Sequence, residues 1–389
     1  DLGATVAVQH LLGLGSAALL YCAVRRMGGS RWAGLVPAAV VLLDGPTLFL
    51  EQAVLSEPVF TVLVAAALYG AARALGERSV GWAAIAGVCL GAATSVRAVG
   101  IALVPVLFVW LLARPGGHRG ALGSAAALGA GAAFVIAGYQ AAQLSAQGQA
   151  GITRADGWVF YARVAPLADC GRFRPPPGTL PLCETTPPQE RKHANRYLWD
   201  PTSPARRLFG GIPEGNAQLR AFARQALAHQ PLDYLRAVIW DLGGYVVSDR
   251  GVRSHVRYLQ DPANERRAQF QIRRYYDFHG YRRAGADGLS SYARRVNLGG
   301  WPTAVLVALA LVAPVLARGI PRRGALLLAG AGVAVLAVPV LTLFGSLRFA
   351  VPAYGPLAAA AALGIDALFT PARLGTPARS VLSAGRHRA

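Results

Sequence analysis

The chain has 389 residues, 54% of them hydrophobic, with 39 basic side chains against 19 acidic ones and a formal net charge of +20. A basic chain can bind nucleic acid. Here the arginines gather in short links between long apolar segments, which excludes a nucleic-acid face and fits topology signals and contacts to anionic lipid. Lys192 is the only lysine, so the charge is almost entirely guanidinium.

Nine apolar segments follow in chain order, over 4–24, 32–50, 58–74, 80–95, 98–113, 121–139, 301–317, 324–344 and 349–369. A helix crosses about 30 Å of hydrocarbon with roughly 20 residues. In the bilayer core such segments must satisfy their backbone groups internally, so helices are expected. Their Ala and Gly content permits close helix–helix approach. The fourth and fifth are short and flank Arg97, which also fits one bent hairpin. The fold class is therefore an all-α polytopic membrane protein. It has a first bundle part over 1–141, an extracytoplasmic domain over 142–300, and a second bundle part with a tail over 301–389.

Orientation follows from the links. Arg25, Arg26 and Arg31, then Arg73 and Arg78, then Arg114 and Arg119, then Arg318, Arg322 and Arg323 fall on one side if the spans alternate. Arg373, Arg379, Arg386 and Arg388 in the tail join them. The positive-inside rule makes that side cytoplasmic and the protein a multi-pass plasma-membrane protein. The opposite side receives Asp1, the 51–57 link, Arg97, the large insert and the 345–348 link. Nine spans with an outside start imply at least one further helix before Asp1.

The insert carries helical patterns. Asn216 is suited to cap a helix over 217–229 with Leu219, Phe222, Ala223, Ala226 and Leu227 on one face. Pro231 suits the first turn of another running to Asp241, with Leu235, Val238 and Ile239 inward. Asp261-Pro262 starts a third to about Asp277, carrying Arg266, Arg267, Arg273 and Arg274. The Pro-rich and aromatic-rich stretch 151–204 reads as ordered loop. Cys22 and Cys89 fall within spans and read as packing residues. Cys170 and Cys183 are the only cysteines of the insert, and an oxidising compartment favours a disulfide between them. His193, His229, His255 and His279 lack ligand-like spacing, so no metal site is expected. No cofactor is called for, and a divalent metal is neither required nor excluded.

Candidate chemistry lies where charges meet the outer membrane boundary. Asp44, Glu51 and Glu57 sit at the end of one apolar segment and the start of the next. Ser56 is placed to cap the helix begun at Pro58, and the helix dipole favours a carboxylate at Glu57. Ionisable residues at membrane depth are functional candidates. Arg97 interrupts an apolar run and Arg348 opens the last one. A guanidinium there suits a lipid-linked phosphate, because its planar fork donates two parallel hydrogen bonds; snorkelling to the interface is the structural alternative.

Residues 25–69, from Arg25-Arg26 through the Ser56-Glu57-Pro58 step to Tyr69, resemble the third and fourth spans of GT-C glycosyltransferases. The resemblance is to bacterial members related to protein mannosyltransferases and aminoarabinose transferases. Arg348-Phe349-Ala350-Val351-Pro352 is similar to their last-span R-(Y/F)-x-x-P pattern. The segments 157–170 and 181–184 resemble those of actinobacterial members. The resemblance implies transfer of a sugar from a polyprenyl-phosphate carrier to a cell-envelope glycan, lipid or protein acceptor on the outer face. It also implies that a carboxylate base lies in the family's first outer loop, which would precede Asp1. Within this chain the expected catalytic residues are Glu57 and Asp44, and the expected lipid-phosphate contacts are Arg348 and Arg97. A transporter, a non-catalytic membrane assembly protein and a ligase of lipid-linked saccharides are the alternatives. Transporters often show internal repeats, and none is found here.

Overall fold

The computed structural model describes residues 2–114, 117–148, 151–249 and 286–369, with isolated positions at 261, 266, 269, 270 and 273. Every apolar segment read from the sequence is helical. The first bundle part comprises α1 (Leu2–Arg26), α2 (Arg31–Leu43), α3 (Gly45–Gln52), α4 (Glu57–Glu77), α5 (Val80–Val96), a 3-10 turn over Ala98–Ala102, α6 (Leu103–Leu112) and α7 (His118–Gln147). The insert holds α8 (Asp156–Val164), α9 (Ala194–Trp199), α10 (Pro204–Phe209), α11 (Asn216–His229), α12 (Pro231–Val247) and α13 (Ala286–Arg295). The bundle resumes with α14 (Trp301–Leu316), α15 (Gly319–Thr342) and α16 (Leu347–Phe369). No strand occurs among the described residues. Among the described residues five helices are long and apolar enough to cross a membrane, and the bent pair α2–α3 makes a sixth if counted as one span; α5, the turn with α6, and α14 are shorter apolar helices.

The second apolar segment is not one straight span. It breaks at Asp44, where α2 and α3 meet at 50°. Asp44 takes an extended conformation and its carboxylate caps α3, accepting hydrogen bonds from Thr47 N (3.0 Å) and Thr47 Oγ1 (2.7 Å). An Asp followed by Gly-Pro is a helix start, and here that signal overrides the continuous apolar pattern. Elsewhere small residues set the spacing. A Cβ on Gly87 of α5 would lie 2.0 Å from the Leu128 carbonyl oxygen of α7, so these two helices touch backbone to backbone. Cys89 packs against the bundle core, whereas Cys22 is exposed on its flank.

Basic links gather at one end of the bundle. Arg26 and Arg73 both reach Glu77, at 3.1 and 2.5 Å. Trp110 Nε1 donates to the Arg323 carbonyl (2.8 Å), and Ser30 N donates to Asp366 (2.8 Å). The insert sits at the other end. Ala293, Leu289 and Tyr245 of the insert pack into the bundle core, and Leu343 of the α15–α16 link packs against the insert core.

The insert core is aromatic. Tyr161, Phe222 and Phe173 meet edge to face, with centroids 5.8 and 5.3 Å apart. Cys170 and Cys183 form a disulfide beside this core, with Cα atoms 5.9 Å apart. Three local expectations are corrected. The stretch 151–204 is not all loop, because α8 buries Trp158 and Tyr161 completely. Asn216 does not cap its own helix, whose cap position is Gly215 in the left-handed region at φ 67°. Instead its Oδ1 accepts from Gly157 N (2.8 Å) and Trp158 N (3.3 Å), capping α8 across space. On α12 the inward stripe is Tyr234, Val238, Asp241 and Tyr245, while Leu235 and Ile239 are exposed. Beside a bundle, an apolar residue can face lipid as readily as protein. The expected helix from Asp261 to Asp277 lies largely outside the described residues.

The cross-helix cap is testable. Asn216→Ala removes the acceptor for two α8 amides and should cost about 1 kcal/mol. That loss should appear as a lowered thermal unfolding midpoint, and Asn216→Asp, which keeps the acceptor but turns the 2.7 Å hydrogen bond to Asp156 into a carboxylate pair, should not recover it.

Candidate functional site

The insert-side ends of α4, α5 and α16 converge on one carboxylate. Glu57 is the first residue of α4, with Pro58 in the first turn, and its side chain is only 2% exposed. Ser56 occupies the cap position but makes no side-chain cap bond, so Glu57 at the helix start takes its stabilisation from elsewhere. Arg97 Nη1 lies 2.6 Å from Glu57 Oε1. Arg348 Nε, from the first turn of α16, bonds the same oxygen.

Local sequence explains why these arginines reach so far inward. α5 ends at Val96 with Arg97 extended, and its amide bonds back to Ala93 O at 2.8 Å. The 3-10 turn then folds onto the end of α5. A Cβ on Gly100 would stand 2.7 Å from Thr94 N, so this turn needs glycine there. The Arg97 guanidinium lies over Phe349 at 5.0 Å and near Phe60 at 5.8 Å, stacked as well as paired. Arg97 is 11% exposed and Arg348 38%, so Arg348 is the more open of the two. Two guanidiniums against one carboxylate leave this group one positive charge in excess.

Arg97 and Arg348 line a cavity of about 1570 Å³ between the bundle and the insert. Ser56, Tyr139 and the 343–346 link complete its bundle side. Phe160, His193, Trp199, Arg220 and Arg224 form the insert side. Glu57 stands behind the arginines. Its Oε1 is occupied by both guanidiniums, and its Oε2 is buried with no hydrogen-bond partner. Neither oxygen is open to a substrate, so the geometry makes Glu57 a holder of cations.

Of the residues expected from the sequence, the structure brings Glu57, Arg97 and Arg348 together. Asp44 does not line the cavity. Its Oδ2 is taken by Thr47, and its Oδ1 accepts from Leu298 N at 3.1 Å, tying the α2–α3 joint to the chain entering α14. Glu51 turns to α1, where His10 Nδ1 lies 2.6 Å from its Oε2.

The insert wall was not foreseen. Arg220 and Arg224 are four residues apart on α11, opposite the buried face of Leu219, Phe222, Ala223 and Ala226, and that spacing was the available signal. Arg220 is fixed by Asp156, with contacts of 2.8 and 2.6 Å. Partial burial raises the Asp156 carboxyl, but bonds from Arg220 and Asn216 outweigh it and hold it below the usual carboxylate range. Among the described residues no group of three His, Cys, Asp or Glu side chains is placed to hold a metal ion.

Residues 6–114 match the family model for dolichyl-phosphate-mannose-protein mannosyltransferase. The match covers α1 to α6 and so includes Glu57 and Arg97, but not Arg348 or the insert. It supports a membrane glycosyltransferase that uses a polyprenyl-phosphate sugar donor. No curated protein and no solved structure matches the chain.

The triad makes a stability prediction. Glu57→Ala leaves Arg97 buried without its counter-ion and should cost about 3–5 kcal/mol. Combining it with Arg97→Leu should restore part of the loss, measured by thermal unfolding of the detergent-purified protein.

Proposed function

We propose that the protein transfers a sugar from a polyprenyl-phosphate carrier to an acceptor on the extracytoplasmic face. The observation that carries this reading is the pair Arg97 and Arg348, pinned by Glu57 at the bundle side of a large cavity. Such a cavity beside lipid lets the prenyl tail stay in the membrane while the phosphate meets guanidinium. The acceptor oxygen attacks the anomeric carbon, the bond from that carbon to the phosphate oxygen breaks, and the acceptor proton passes to a base. Negative charge grows on the departing polyprenyl phosphate. Arg348, with the greater exposure, meets that charge directly, and Arg97 adds to the field from behind. A guanidinium already held in place pays little reorganisation when the charge appears.

Glu57 acts in this reading as a positioning residue, aiming both cations at one point. The basic ends of the spans face the cytoplasm under the positive-inside rule, and the insert lies outside. The acceptor then enters between bundle and insert.

Two outcomes test this. With a radiolabelled polyprenyl-phosphate sugar and the full-length protein, Arg348→Ala should raise the donor KM and lower turnover, and Glu57→Gln should lower turnover per molecule of folded protein. Wild-type turnover in both variants would sink the site. Single cysteines placed at Arg322 and Gly178 should label from opposite sides of the membrane; labelling from one side would overturn the orientation.

A further inference from the structure

We infer that the insert-side wall of the cavity is a binding subsite for an acidic saccharide, which Trp199 stacks and Arg224 and Arg220 pair. This deepens the transferase reading, on which it rests for one point: the saccharide would be the acceptor.

Three observations converge on that wall. Trp199 ends α9 on the cavity lining with 59% of its surface exposed, although indole is the largest apolar side chain the insert has to bury. Trp158, on the preceding helix α8, is fully buried in the insert core, so the core does not lack room for indole. An exposed aromatic face in a cavity is a platform for the C–H face of a pyranose ring. Arg224 is also exposed on the lining and has no ion-pair partner among the described residues. One turn earlier, Arg220 is oriented by Asp156 at 2.6 Å, and its Nε is buried with no hydrogen-bond partner. One fixed and one free guanidinium on the same helix face present donors for a carboxylate or a phosphate. Asn195, exposed on the same wall, adds an amide suited to hydroxyl groups.

This wall differs in kind from the bundle side. Arg97 and Arg348 are tied to Glu57, whereas Arg224 has no acid to satisfy it. A lipid surface is the less fitting occupant of this wall, because Trp199 shares it with Asn195, Arg220 and Arg224, while the exposed apolar Ile101 and Leu341 of the lining belong to the bundle side.

Calorimetric titration of the full chain in nanodiscs tests the subsite without requiring turnover. Trigalacturonate supplies carboxylates, glucose 6-phosphate supplies a phosphate, and maltotriose is the neutral control. At least one acidic ligand should bind, with maltotriose weaker by about tenfold or more. Arg224→Glu and Trp199→Ala should each weaken the acidic ligand by about tenfold or more, while Arg224→Lys and Trp199→Phe retain most of the affinity. Which acidic ligand binds tells carboxylate from phosphate. No binding of either, equal binding of maltotriose, or unchanged affinity in Arg224→Glu would overturn the subsite. Loss of binding in Arg348→Ala but not in Arg224→Glu would place the ligand on the bundle side and overturn it too. If the acidic saccharide binds as expected while no polyprenyl-phosphate sugar is turned over, the subsite stands and the transferase reading falls.

Discussion

A carboxylate buried at the end of an apolar bundle cannot be left alone. Taking Glu57 out of water costs several kcal/mol, on the order of the stability of a whole domain, unless opposite charge comes with it. The chain meets that demand from two distant places, the break after α5 and the start of α16. The position of Glu57 at the first turn of α4 therefore fixes the insert-side ends of α4, α5 and α16 relative to one another. Once Arg97 is drawn inward, the turn behind it must fold tightly on α5, which is why Gly100 is needed. Once Arg348 is drawn inward, Phe349 follows and closes over Arg97.

The same constraint reaches the insert through the short link that carries Arg348. Tyr245 of α12 donates to Ser346 O and accepts from Ser346 N, and Tyr234 donates to Leu341 O. Arg163, buried in α8, pairs with Asp241 of α12 and lies over the Tyr234 ring at 5.5 Å. Phe344 in the link meets both His193 and Phe349, at 5.1 and 6.2 Å. A continuous set of contacts thus runs from the aromatic core of the insert to the arginine that faces the cavity. Changes in the pose of the insert bear directly on Arg348, so the two halves of the cavity wall are mechanically one object.

What was legible in the sequence follows the range of the physics. Apolar length is a local property, and every segment read from it is a helix. The Asp44 break was hidden because Leu43 and Leu48–Leu50 continue the hydropathy across it, while the carboxylate's bonds to Thr47 decide the backbone. Glu57, Arg97 and Arg348 were each visible as charges at span ends. That they share one oxygen is a tertiary fact, set by helices brought together from positions 57, 97 and 348. Asn216 shows the limit most plainly. A residue with the right chemistry at the right helix start spends its side chain on another helix, because Gly157 and Trp158 stand closer to its carbonyl in space than in sequence. The exposed Leu235 and Ile239 failed for a different reason: hydropathy cannot tell an apolar residue that a neighbour covers from one left exposed.

The cavity has two cationic walls, and their difference gives the site a direction. On the bundle side the cations are already paired, so a ligand there meets a net single charge held rigidly at membrane depth. On the insert side Arg224 is exposed with no ion-pair partner among the described residues, on the same cavity wall as an exposed indole. A phosphate tethered to a lipid tail is confined near the bundle by its tail, whatever the attraction of the outer wall. A soluble or polymeric acidic group has no such tether and meets the outer wall first. The two walls therefore need not discriminate strongly between anions by contact alone. In the proposed reaction depth would sort them, and the sugar to be moved would lie between, where the tethered phosphate ends and the untethered ligand begins.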